Sequence, residues 1–145
     1  MPFVEMRDGC SLYVRVIGRG RPVLMLPGLG MHSAHWLPFI WPYLGRFRFY
    51  LPDFRGHGRS SGVRLNQPDV FHNHMEDVQD VIARFRLEDF LLAGISLGGS
   101  TALHLNREAG LPGVRRYLHI DQSPCVGNRP DWPHGLFGTR QDELF

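Results

Sequence analysis

Lysine is missing from this chain. All sixteen basic residues are arginine, and fourteen acidic residues spread from Glu5 to Glu143 nearly balance them, leaving a net charge of +2. No basic tail or block remains to track a phosphate backbone, and pairs such as Arg46/Arg48 and Arg115/Arg116 read as solvated surface, which sets nucleic acid aside as a partner. Cysteine is scarce: Cys10 and Cys125 stand far apart with no Cys-x-x-Cys partner, as expected of free thiols in a reducing compartment rather than of a disulfide framework. Long apolar runs are lacking too. The longest, residues 23–31 and 90–97, fall far short of a bilayer span, and the N-terminus is charged at Glu5 without an apolar core of signal-peptide length. The expectation is a soluble, cytoplasmic protein with no membrane partner. The composition of disorder is also absent, with 43% hydrophobic, 12% aromatic and 21% charged residues. A chain of 145 residues can bury a sizeable core, so one compact domain is expected.

The pattern along the chain alternates strands with helices. Residues 3–6 and 10–17 flank an Asp8-Gly9 turn, with Leu12, Val14 and Val16 on one face, and predict an opening β-hairpin. Two continuous apolar runs, residues 22–27 closed by Pro27-Gly28 and residues 47–51 closed by Pro52-Asp53, read as strands buried on both faces of a parallel sheet. Met75, Val78, Val81, Ile82 and Phe85 recur at helical spacing and predict a helix over 73–85, with Asn73 as N-cap and Glu76 three residues on. Residues 90–95 read as a strand, and residues 97–109 as a helix stopped by Gly110. A last strand is predicted over 114–120, with Val114, Leu118 and Ile120 along one face. Such alternation implies right-handed crossovers, hence an α/β three-layer sandwich around a mostly parallel sheet, with ligands bound beyond the carboxyl ends of the strands. From Pro124 onward, glycines and prolines interrupt any period, so residues 1–123 form the expected core and 124–145 an irregular tail or the start of a lid.

The chemistry concentrates at Gly94-Ile95-Ser96-Leu97-Gly98, between a predicted strand and a predicted helix. A chain that bends so sharply needs almost no side chain two positions before and two after the serine, and the bend pushes the hydroxyl outward at the amino end of a helix.

With its companions, this motif resembles the α/β-hydrolase superfamily. Leu26-Pro27-Gly28-Leu29-Gly30 is similar to the loop after that family's third strand, and Asp53-Phe54-Arg55-Gly56-His57-Gly58-Arg59-Ser60 to its D-x-R-G-x-G-x-S segment. Ile120-Asp121-Gln122-Ser123-Pro124 looks like esterases and cofactor-free haloperoxidases of the same superfamily. The resemblance implies a serine hydrolase of small carboxylic esters or related acyl compounds. Ser96 would be the nucleophile, with the backbone N–H groups of Leu29 and Leu97 as oxyanion donors and no metal or organic cofactor. It covers only the first part of the family's fold, to about the sixth strand. The family's usual acid and its histidine come later than that, and Pro27 stands where the commonest family form has histidine. Asp121 sits where some relatives place an acid, although the Asp-Gln-Ser-Pro context also occurs where it is not one.

His104, His119 and His134 follow the serine, none at the family's position for a base. The alternatives are an acyltransferase or perhydrolase of the same fold, or a non-catalytic binding module that lacks the histidine. Glycines 56, 58 and 62 miss the G-x-G-x-x-G spacing, so Asp53 and Arg55 are expected to support the sheet rather than to bind phosphate. His32, His35, His72 and His74 come without a His-Glu-x-x-His or cysteine ligand set, so surface or pocket-lining roles are preferred over zinc. Trp36, Phe39 and Trp41 are expected in packing and only secondarily as an acyl-pocket wall, and Trp132 and Phe137 either line a substrate entrance or plug the start of a lid. Ending at the sixth strand, the sheet would present an apolar edge open to self-association.

Overall fold

A computed structural model describes residues 2–123 and 127–133. The hairpin is present: β1 (Phe3–Glu5) pairs antiparallel with β2 (Ser11–Gly18), and Gly9 takes the left-handed turn position at φ 85°. Then follow β3 (Arg21–Leu26), β4 (Phe47–Pro52), β5 (Phe90–Ile95) and β6 (Val114–Ile120), in sheet order β1-β2-β4-β3-β5-β6. β2 runs antiparallel to β4, whereas β4, β3, β5 and β6 are mutually parallel. The architecture is the expected mostly parallel sheet with helices on both faces, and β3 lies near its middle.

Alternation along the central strands separates two cores. Leu24, Leu26, Tyr50, Phe90 and Leu92 face α2 (Val70–Phe85) and α3 (Leu97–Ala109), where Met75, Val78, Val81, Ala102 and Leu105 meet them. Val23, Phe49 and Leu51 point to the opposite face, where Trp36 and Ile40 cover them from a run of short helical turns. That run comprises a 3-10 turn (Ser33–Trp36), α1 (Leu37–Ile40) and a second 3-10 turn (Trp41–Tyr43). Trp36 is core, as expected. Phe39 and Trp41 are largely exposed, because short turns can present only one side to the sheet.

Two local expectations are corrected. α2 begins at Val70, where Asp69 is the N-cap and accepts the N–H of His72 at 3.1 Å. Asn73 lies buried within the helix, and its Oδ1 accepts the Asn66 N–H at 2.8 Å. The helical period read from the sequence starts only at Met75, so the first turn from Val70 and the cap upstream of it were missed. In β6 the register shifts between Phe90 and Leu91, so that Val114 opposes Phe90 while Arg116 opposes Leu91. One extra residue inverts the alternation. Val114 therefore joins the α2/α3 core, whereas Leu118, opposite Ala93, stands 60% exposed and Ile120, opposite Ile95, lines a groove on the other face.

The D-x-R-G segment supports the scaffold, as its turn-like sequence suggested. Arg55, 4% exposed, donates from Nε and Nη2 to the two carboxylate oxygens of Asp77 at 2.7 and 2.8 Å, and from Nη1 to Asp8 at 2.7 Å. This fork ties the loop after β4 to α2 and to the β1–β2 turn. The Arg55 hydrogen bond holds the Asp8 carboxyl well below the usual carboxylate range, while burial pushes the Asp77 carboxyl up and the same fork opposes it. Asp53, also buried, accepts the N–H groups of Ser33 at 2.6 Å and Arg59 at 2.9 Å. No described helix is long and apolar enough to cross a membrane.

Candidate active site

Ser96 stands between the end of β5 and the first residue of α3, with φ 52° and ψ −116°. That conformation is costly for a residue with a Cβ and persists only where surrounding structure imposes it. Here the neighbours do so on three sides. The Ser96 N–H donates to the carbonyl of Ile120 at the end of β6, at 3.1 Å, and the Ser96 carbonyl accepts the N–H of Ser100 at 3.0 Å. A Cβ at Gly94 would come within 2.6 Å of the Gly98 carbonyl oxygen, and one at Gly98 would overlap the carbonyl of Leu26. The two glycines let the strand, the turn and the helix close on one another.

Gly28 brings the loop after β3 to the same place. It is buried, and a Cβ there would lie 3.2 Å from the Ser96 Cβ, 3.3 Å from the Met31 sulfur and 3.4 Å from the Ile95 carbonyl. The Gly28 N–H points to the Met31 sulfur at 3.3 Å, and the Met31 N–H returns to the Gly28 carbonyl at 3.1 Å, which closes a tight turn across Leu29 and Gly30. Leu29, at the tip, is 78% exposed. Leu97 opens α3, where first-turn N–H groups have no acceptor within the helix, and a helix N-terminus favours developing negative charge. Ser96, Leu29 and Leu97 therefore belong to one cluster at the carboxyl ends of β3 and β5.

Beyond the loop tip, two stacked imidazoles anchor the segment. His32 and His35 lie with ring centroids 3.8 Å apart. His32 Nδ1 accepts the Ala34 N–H at 3.3 Å, and His35 Nδ1 accepts the His32 N–H at 3.1 Å. An apolar groove of about 540 Å³ runs below, lined by Met31, Trp36, Phe39, Leu91, Ile95 and Ile120 among others.

Asp121 is exposed, with φ 50° just past β6, and makes no hydrogen bond or ion pair among the described residues. His119 is committed elsewhere: its Nε2 lies 2.7 Å from the Gln122 carbonyl, which can only accept, so Nε2 carries the proton and Nδ1 accepts from the Tyr117 hydroxyl at 2.7 Å. Its ring fills the space beside Gly99, and burial pushes the Tyr117 phenol up to about 12. His104 faces His72 across the α2–α3 seam. Among the described residues, no histidine is hydrogen-bonded to Ser96. His134, Phe137 and Cys125 lie outside the described residues, whereas Trp132 is half-buried and donates its indole N–H to the Ser123 hydroxyl at 3.1 Å. Sequence reasoning missed the His119–Tyr117–Gln122 strut, whose only signal was two polar residues on one face of a strand.

Comparison with known proteins places this arrangement. Residues 23–144 match the model of the alpha/beta hydrolase family. The chain is 30% identical over 126 residues to a pimeloyl-[acyl-carrier protein] methyl ester esterase of Nitrosomonas europaea, covering 87% of this chain and 47% of that protein. It is 31% identical over 145 residues to the AB hydrolase superfamily protein YisY of Bacillus subtilis, covering 98% and 53%. Among solved structures, an esterase from Exiguobacterium antarcticum superimposes with a TM-score of 0.86 at 28% identity, over 98% of this chain and 52% of that one. A bromoperoxidase from Bacillus anthracis shares the fold, with a TM-score of 0.79 at 19% identity over 99% and 52%. The chain spans about half the length of the curated relatives it matches. With its strand order, its serine turn and these matches taken together, the chain belongs to the alpha/beta hydrolase family.

Proposed function

We propose that Ser96 is the nucleophile of a serine esterase site for small carboxylic esters or related acyl compounds, with the N–H groups of Leu29 and Leu97 receiving the oxyanion. The strained backbone of Ser96, enforced by Gly94 and Gly98, carries this reading, because strain of this kind is kept where an exposed hydroxyl is needed. Esterases among the relatives and neighbours support the substrate class. In the reaction, Ser96 Oγ bonds to the ester carbonyl carbon, the C–O bond to the alcohol breaks, and the serine proton leaves with the alcohol through a base. Water then releases the acid and restores the hydroxyl. Two aligned donors account for a large share of the rate, since losing one costs on the order of 10²-fold.

His104 and His119 are bonded elsewhere, so the proton acceptor is not among the described histidines that follow the serine. The same observation favours a second reading, a binding module that keeps the fold without catalysis. A fluorophosphonate probe separates the two. The esterase reading expects labelling of a protein that carries the family's downstream half and none of its Ser96→Ala form, with weak labelling of the 145-residue chain alone, since activation needs a base. Absence of labelling in the longer form would leave the binding module. Comparing water with an alcohol or peroxide as acceptor then distinguishes hydrolysis from acyl transfer or perhydrolysis.

A further inference from the structure

We infer that His72 and His104 form a two-histidine clamp for a late first-row divalent cation of the zinc type, bridging α2 and α3 away from the serine. His72 Nδ1 and His104 Nε2 lie 3.2 Å apart. Two nitrogens bound to one tetrahedral zinc at its usual bond length stand about 3.3 Å apart, so the pair already has the bite of a chelate. The rings meet edge-on, at 82° with centroids 5.5 Å apart, so a ring nitrogen rather than a ring face is offered across the seam. The two nitrogens face each other nearly head-on, so both rings turn by roughly 35° to bring their lone pairs to a shared tetrahedral apex.

The opposite edge of His72 meets a carboxylate. Its Nε2 lies 3.3 Å from Glu76 Oε1, one helical turn on. A carboxylate beside that edge of the ring favours the tautomer with its proton on Nε2, which leaves Nδ1 as a lone pair facing His104. Glu76 is itself fixed, since Oε1 accepts from Gln67 Nε2 at 2.9 Å and Oε2 from Arg7 Nη1 at 2.7 Å. Without metal, His104 Nε2–H donates to His72 Nδ1. Besides that rotation, loading requires that His104 carry its proton on Nδ1 instead, so no net proton is released. His72 is about one third exposed, which leaves room for water to complete the coordination. Among the described residues no group of three His, Cys, Asp or Glu side chains is arranged around one ion, so the clamp is a two-ligand site. Imidazole nitrogen favours zinc, nickel or copper over magnesium and calcium. The His32/His35 pair differs, because both of its Nδ1 atoms already accept backbone N–H groups.

The test uses the tag-free 145-residue chain, dialysed at equilibrium against Zn²⁺ or Mg²⁺. One Zn²⁺ should bind saturably and raise the thermal midpoint, with no effect of Mg²⁺. His72→Gln and His104→Gln should each lower Zn²⁺ affinity at least about tenfold and abolish the thermal shift. Glu76→Gln, which keeps both ligands but loses the orienting carboxylate, should weaken binding about tenfold. His35→Gln should bind as the parent does. Electron paramagnetic resonance of the Cu²⁺-loaded chain should show two nitrogen donors, a readout that also stands if one variant fails to fold. Affinity unchanged by both histidine variants, a Cu²⁺ spectrum with fewer than two nitrogens, or no saturable Zn²⁺ binding would overturn the inference.

Discussion

Gly98 and Leu26 are in backbone contact: a methyl group on the Gly98 Cα would fall on the carbonyl oxygen of Leu26. Helix α3 and strand β3 are thus as close as two backbones can come, just where the serine turn begins. Gly98→Ala should lower stability by about 2 kcal/mol or more, because the clash outweighs the roughly 1 kcal/mol that alanine gains in a helix. Urea denaturation of the two forms checks this, and an unchanged midpoint would show that α3 can shift.

Ser96 itself carries the opposite expectation. At φ 52° and ψ −116° the side chain opposes the backbone, so Ser96→Gly should raise stability by about 1 kcal/mol, the relieved strain exceeding the added entropy of the unfolded chain. Ser96→Ala retains the Cβ and should gain little. Parallel thermal melts of the two variants compare them directly.

Arg55 and Arg7 both hold carboxylates, in different surroundings. Arg55 is buried between Asp77 and Asp8, and Arg55→Met should cost about 3–5 kcal/mol by leaving Asp77 unpaired in the interior. Arg7 pairs with Glu76 and Asp80 at the surface, and Arg7→Ala should cost no more than about 1 kcal/mol. Chemical denaturation of both variants at low and high salt reads the contrast, since only the Arg7 pair is open to screening.

His74 makes stability depend on pH. It is 2% exposed, stacked on Phe54 with centroids 4.3 Å apart, and burial, helped by His57 and Arg55, lowers its pKa to about 4. Between about pH 6.5 and 4 the unfolded chain binds a proton that the folded chain refuses. Stability conferred by neutral His74 is therefore complete above about 6.5 and falls by about 3 kcal/mol as the pH drops to 4. His74→Gln should flatten that slope whatever it does to stability at neutral pH. Asp8, whose folded carboxyl is depressed, adds a separate loss only below about pH 4.

We propose that the chain self-associates through β6, whose side away from β5 has no strand partner among the described residues. Leu118, 60% exposed, stands on that strand. Sedimentation should show concentration-dependent association at micromolar chain, and Leu118→Lys should reduce it without lowering the melting temperature. A parent that stays monomeric throughout would exclude the edge as an interface.

The strands at Phe90–Ile95 and Val114–Ile120 and the helix at Leu97–Ala109 were legible residue for residue: an apolar run marks the first strand, Gly110 the end of the helix, and Val114, Tyr117, Leu118 and Ile120 the last strand. The inversion in β6 was not, since an extra residue among Arg115 and Arg116 changes no local preference and shows only in pairing with Phe90. The start of α2 was hidden for a related reason: Val70, Phe71 and His72 precede the apolar period, and the cap lies upstream of it. At the site, the sharp bend at Ser96 was legible from Gly94 and Gly98, whereas Leu29 and Leu97 were named only through the family resemblance. The partners of Arg55 and the bonding of His119 depend on which distant segments meet, and chain-local patterns hold no record of that.

The central place of β3 also sets an order of events during folding. Leu26 is in register with Gly94, so the loop bearing Leu29 and the turn bearing Ser96 become neighbours only when two segments far apart in the chain have joined in parallel. Such pairing must close a long loop before it gains any contact, which makes it intrinsically slow. The hairpin of β1 and β2 needs no such wait. On a nascent chain, the region around Ser96 takes shape only after α3 has emerged to press Gly98 against Leu26.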